Sequence, residues 1–218
     1  MQIPLAGLVV AMLTLPGADP TLPGEARPTP TGTVWVEMAS AGSGKPREAV
    51  GRGVVEAPPE RVWRALADYE HWREFMPFLK ASTSRPQPDG SALSDHVMDF
   101  PSPLGERRYR VRFTRSVETG GAGNVWRIRW AYVPGSGNVA DHRGSWTLTA
   151  LGPGRTLAVC RLYTDPGGFT PHWAADRATL RMLPWIFHGL RQQVRRSRYD
   201  GPAGRPRGTG RAGRGRGW

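Results

Sequence analysis

A single cysteine, Cys160, is all the thiol chemistry in this chain of 218 residues. That excludes an intramolecular disulfide and any multi-cysteine metal centre. The apolar run at residues 3–15 is shorter than the roughly 20 residues a membrane-spanning helix needs. Absent too are the glycine loops that cradle phosphates or dinucleotides, and the Gly-x-Ser-x-Gly turn of many hydrolases. The five histidines (His71, His96, His142, His172 and His188) have no close metal-ligand spacing. No cofactor or metal is therefore expected. Acids are scarce, with 18 Asp and Glu against 30 Lys and Arg, for a net charge of +12. Such an excess suggests nucleic acid as a partner. Residues 201–218, however, hold five arginines and no acid, so much of the excess sits in one Gly/Arg-rich tail.

What is present falls into four stretches. The run at 3–15 has the length of an export-signal core, although no Lys or Arg precedes it. Residues 1–18 are read as a signal peptide and the protein as exported, to the periplasm or the medium. Residues 19–46 are rich in Pro, Gly, Thr and Ala, with a β-prone island at Val34, Trp35 and Val36, and read as a linker. Residues 47–198 carry periodic texture, and residues 199–218 read as a disordered tail.

Within 47–198 a strand at 49–56 runs into Pro58-Pro59, where a helix is expected with Pro59 in its first turn. A second short helical turn follows around Trp72–Met76. Six strand candidates then succeed one another at 78–85, 92–100, 107–118, 125–132, 144–151 and 156–164. In the third, Tyr109, Val111 and Phe113 alternate with Arg108, Arg110 and Arg112, the period of a half-buried strand. The last element is a helix beginning near Thr170-Pro171. Its apolar stripe runs through Leu180, Leu183, Phe187, Leu190 and Val194, and Pro184 within it should kink it. Antiparallel strands with helices on one side make an α+β fold.

Several phrases resemble the helix-grip superfamily (SRPBCC), which includes START lipid-transfer domains, coenzyme Q-binding proteins and polyketide cyclases. They are Ala57-Pro58-Pro59-Glu60-Arg61-Val62-Trp63 through Tyr69, the WREFMPF of Trp72–Phe78, Gly144-Ser145-Trp146-Thr147-Leu148, and Tyr163-Thr164-Asp165-Pro166-Gly167-Gly168 with the helix after it. The resemblance covers roughly residues 48–196. It implies a curved antiparallel sheet wrapped around the long C-terminal helix, two short helices after the first strand, and an internal cavity for a lipid-like, quinone or polycyclic molecule.

Trp126, Trp130 and Tyr132 share one strand face, more large aromatics than a tight core needs. With Trp146, Tyr163, Trp173 and Phe187 they are the expected cavity lining, although the same rings could simply fill the core. Two His–carboxylate neighbourhoods, Asp95-His96 with Asp99 and Asp141-His142, are formally able to do general acid–base work but also suit solvated strand and loop positions. Three functions follow. The first is non-catalytic binding or transport of a hydrophobic small molecule, with transient membrane-surface contact and no specific nucleic acid. The second is a cyclase or aromatase. The third is anionic-surface or nucleic-acid binding through the Arg/Gly tail.

Overall fold

The structure is a computed structural model that describes residues 25–39, 46–101, 105–120, 123–168 and 170–201. In chain order its strands are β1 (Glu25–Thr29), β2 (Gly32–Met38), β3 (Ala49–Val55), β4 (Leu79–Pro86), β5 (Ala92–Asp99), β6 (Glu106–Gly120), β7 (Gly123–Tyr132), β8 (Asp141–Gly152) and β9 (Arg155–Asp165). Helix α1 (Pro59–Ala67) and a 3₁₀ turn (Tyr69–Glu74) follow β3, and α2 (His172–Gln193) follows β9. All nine strands form one antiparallel sheet in the order β1-β2-β3-β9-β8-β7-β6-β5-β4. This is the expected α+β helix-grip architecture. Among the described residues, no helix is long and apolar enough to cross a membrane.

Alternation decides which face of each strand is buried. On β6, Tyr109, Val111 and Phe113 face inward. Their neighbours point outward into ion pairs, with Arg110 Nε donating to Asp95 Oδ1 at 2.7 Å and Arg112 pairing with Asp89. Beneath the sheet, α1 buries Val62, Ala65 and Leu66, and Trp72 Nε1 donates to the Leu66 carbonyl at 3.0 Å. Helix α2 buries Leu183, Ile186, Phe187 and Leu190, each worth roughly 1.5–3 kcal/mol when removed from water. On β3 the residues facing this helix are Gly51 and Gly53. A Cβ there would lie 3.0 and 2.9 Å from the Phe187 ring, so glycine is what lets the helix lie close to the sheet.

Two boundaries differ from the sequence reading. The stretch read as a linker at 19–46 contains β1 and β2, with Val34 and Val36 buried. Arg191, buried on α2, ties this hairpin down by donating to the carbonyls of Val54 (2.9 Å), Gly32 (3.1 Å) and Thr33 (2.8 Å). The tail read as starting at 199 loses its first residue to the domain. Tyr199 is buried, donates to Asp68 Oδ2 at 2.9 Å and receives a bond from Gln193 Nε2. As read from the sequence, α2 is one helix with Pro184 inside it, and that proline is buried. The signal-peptide reading at 1–18 and the rest of the Arg/Gly tail at 202–218 lie outside the described residues.

Candidate functional site: a cavity between α2 and the sheet

A cavity of about 960 Å³ lies between α2, the loop after the 3₁₀ turn, and strands β5, β6, β8 and β9. That is at the upper end of the range of about 300–1,000 Å³ usual for small-molecule sites. Met76, Met98, Val139, Ala175 and Met182 supply much of its apolar wall. A smaller recess of about 50 Å³ shares Met76, Met98, Tyr109 and Met182 with it and is further walled by Trp72, Trp146, Cys160 and Ile186. Charged side chains (Arg73, Glu74, Arg181, Arg196) border only the larger compartment, as do the exposed rings of Phe78 and Trp185. Depth and polarity therefore run in opposite directions. The inner end is apolar with neutral polar atoms, and the outer end is charged.

Two of the seven predicted lining residues wall the recess, Trp130 and Trp146. Phe187 lies behind it, edge-on to Trp146 at 5.1 Å between centroids, and fills the gap left by Gly51 and Gly53. Trp126 is buried on β7, one of the strands α1 packs on, and Tyr132 is partly buried against the core. Neither borders the cavity. Tyr163 lies on the opposite sheet face from Leu162 and Thr164, beneath the Arg143 guanidinium at 3.8 Å. Trp173, on the first turn of α2, is 69% exposed and does not border the cavity.

The histidines read as flanked by carboxylates are brought together without them. His96 is buried on β5, whereas Asp95 turns outward to Arg110 and Arg85. Hydrogen bonding from Arg110 leads in holding the Asp95 carboxyl below its usual range. His142 is not in a loop but on the second residue of β8, facing inward. Trp130 Nε1–H donates to His142 Nε2 at 3.1 Å. That leaves the proton on Nδ1, which donates to Thr164 Oγ1 at 3.0 Å. The Tyr109 ring packs against both imidazoles, at 5.6 Å from His96 and 4.9 Å from His142. Burial pushes His96 down to about 4, with the Asp95 charge acting weakly the other way. Burial, then the neighbouring His96, pushes His142 down to about 3. Burial also raises the Tyr109 hydroxyl and the Cys160 thiol, so both stay protonated. At neutral pH the inner end therefore carries no charge.

The Trp130–His142 contact depends on Gly144, whose Cβ would fall 2.3 Å from the Trp130 ring. Tyr109 and His142 are the cavity-lining positions least visible in sequence. One reads as part of a core stripe and the other as part of a loop. The signal that marks Tyr109 is its place at the end of the β6 stripe, where helix cover gives way to cavity. Among the described residues no group of three or more His, Cys, Asp or Glu side chains is placed to hold a metal ion.

A family model described as polyketide cyclase/dehydrase and lipid transport matches residues 55–190. No curated protein sequence matches the chain. Among solved structures, a STAR-related lipid transfer protein fragment from Xanthomonas axonopodis is 23% identical, with TM-score 0.64 over 75% of this chain and 94% of that one. Human STARD10 is 16% identical, with TM-score 0.60 over 74% and 68%. The Zhui aromatase/cyclase from a Streptomyces species is 17% identical, with TM-score 0.53 over 69% and 94%. At these identities the likeness is one of fold.

Proposed function

Because the chain belongs to the polyketide cyclase/dehydrase and lipid transport family, we propose that it binds and carries a hydrophobic small molecule, lipid-like or polycyclic, without transforming it. The observation that carries this reading is the 960 Å³ cavity with its largely apolar wall. Burying a chain of ten methylenes gives about 8 kcal/mol gross, against an association cost of about 4–15 kcal/mol. Useful affinity thus needs a large, preformed pocket, and this cavity has that size.

The state of His142 argues against its acting as a general base. A general base works best with a pKa near the operating pH and a free nitrogen. His142 has neither, since Trp130 and Thr164 occupy both nitrogens and burial holds its pKa near 3. The test is native mass spectrometry of the full chain purified from its source. An apolar molecule should co-purify, or bind on addition. If nothing co-purifies, and neither a fatty acid nor a polycyclic probe binds, the proposal fails.

The outer end suits transient contact with an anionic membrane surface during exchange. Phe78 and Trp185, 46% and 56% exposed, stand there beside Arg73, Arg181 and Arg196. Aromatic rings and cations together favour the interface. Replacing both rings by Ser should slow transfer to anionic vesicles by a larger factor than it weakens binding in solution.

A further inference from the structure

Two polar atoms at the inner end of the cavity are buried with no hydrogen-bond partner among the described residues. They are Nε2 of His96, a residue 4% exposed, and the Nε1–H of Trp146, 1% exposed. Both side chains wall the 50 Å³ recess. Buried polar groups are almost always paired, because leaving one unpaired forfeits its hydration for nothing. The other two indoles that wall the recess follow that rule, with the Trp130 N–H committed to His142 and the Trp72 N–H to the Leu66 carbonyl.

The chemistry of these atoms defines what would pair with them. An indole N–H can only donate. Tyr109, kept protonated by burial, adds a hydroxyl at the border between recess and cavity. His96 is neutral and can donate or accept according to its tautomer. No Asp, Glu, Lys or Arg walls the recess, so an ionised group would enter without a counter-charge and lose its hydration. The volume takes about one or two atoms of ligand rather than a ring.

We infer that the recess is a recognition subsite for an uncharged oxygen, carbonyl or hydroxyl, at the leading end of the apolar ligand. Trp146 donates to that oxygen, and His96 donates to it or accepts from it. The inference rests on the apolar-ligand reading above. It orients the ligand with its oxygen inward, and it favours molecules with a neutral oxygenated end over pure hydrocarbons or fatty-acid anions entering carboxylate first.

The test uses four probes sharing one bicyclic body: acetylnaphthalene, naphthylethanol, ethylnaphthalene and naphthoate. Each displaces the apolar dye N-phenylnaphthylamine from the full chain. The ketone or the alcohol should bind about fivefold to tenfold tighter than the hydrocarbon, the effect of one or two net hydrogen bonds. The better of the two tells which oxygen the subsite prefers. Trp146→Phe should abolish most of that advantage, the preferred oxygenated probe losing several times more affinity than ethylnaphthalene. Should that variant not fold, Tyr109→Phe and the indole N–H spectrum of the native protein serve instead. The Trp146 indole proton should move downfield with the ketone and not with the hydrocarbon. If ethylnaphthalene binds as tightly as its oxygenated partners, or naphthoate binds tightest, the subsite is overturned while the carrier reading stands. If neither the dye nor any probe binds, both fall together.

Discussion

At the scale of single residues, the site is defined by side chains held in states they would not adopt in water. His96 and His142 are neutral, with folded-state values near 4 and 3 against 6.5 for a free imidazole. The unfolded chain takes up protons as pH drops below about 6.5, while the folded chain resists until about 4 and then 3. Their contribution to stability is therefore complete above pH 6.5 and is lost as the solution is acidified toward 3. The depressed carboxylates Asp95 and Glu118 act lower, below their unfolded values of 3.8 and 4.5. The urea midpoint should thus fall between pH 6.5 and 4.5 on account of the histidines. Their imidazole signals should stay at the neutral position at pH 5, and normal titration there would contradict the burial described.

Phe78 is held at φ +62, a conformation that favours glycine, with its ring exposed beside Phe100. Such strain persists where the surroundings fix it, and often at functional positions. Phe78→Gly should relieve about 1 kcal/mol of backbone strain. The melting temperature should stay level or rise while ligand dissociation quickens. A fall in both stability and affinity would make Phe78 a structural residue only.

At the scale of elements, Arg191 links α2 to strands far from it in sequence. Burial brings its guanidinium down to about 10, against a weaker opposing effect of Glu56, so it stays charged at neutral pH. Its donors satisfy Val54, Gly32 and Thr33 carbonyls. Arg191→Leu should cost about 2–4 kcal/mol, since charged hydrogen bonds contribute roughly 1.5–3 kcal/mol each and three part-buried carbonyls would lose their donors. Hydrogen exchange should quicken first in β2. Uniform acceleration across the sheet would show instead that the hairpin is not a separate unit. This tie explains why a Pro/Gly/Thr-rich stretch reads as a linker yet forms two strands. Its composition is turn-like, and what orders it is a partner more than 150 residues away.

At the scale of the whole molecule, α2 serves two functions on its two faces. Ala175, Thr179, Met182, Trp185 and Gly189 border the cavity, while Leu183, Phe187 and Leu190 are buried in the core. The unliganded N-terminal half should exchange its amide hydrogens faster than the half after Pro184, and a bound apolar ligand should reduce that difference. Ligand at 100 times its Kd should stabilise the fold by about 2.7 kcal/mol through mass action. Equal protection along α2 with and without ligand would rule out a lid formed by its first turns.

Elements whose cause is local are legible in the amino-acid order. Alternation marks β6 and β7, the 3-4-3-4 spacing marks α2, and proline and glycine mark the turns between strands. Those periods also say which side of each element is apolar, so the α+β order and the sheet-on-helix arrangement follow. Where that apolar side closes into core and where it opens into cavity depends on contacts between elements distant in the chain. Trp126 and Trp130 belong to one stripe four residues apart, yet one is buried away from the cavity and the other walls the recess. His142 is committed to Trp130 and Thr164, 12 and 22 residues away, through the register of β7, β8 and β9. Periodicity records which face of a strand meets apolar surroundings. It does not record how far the opposite wall stands, and that distance makes the difference between a packed ring and a binding site.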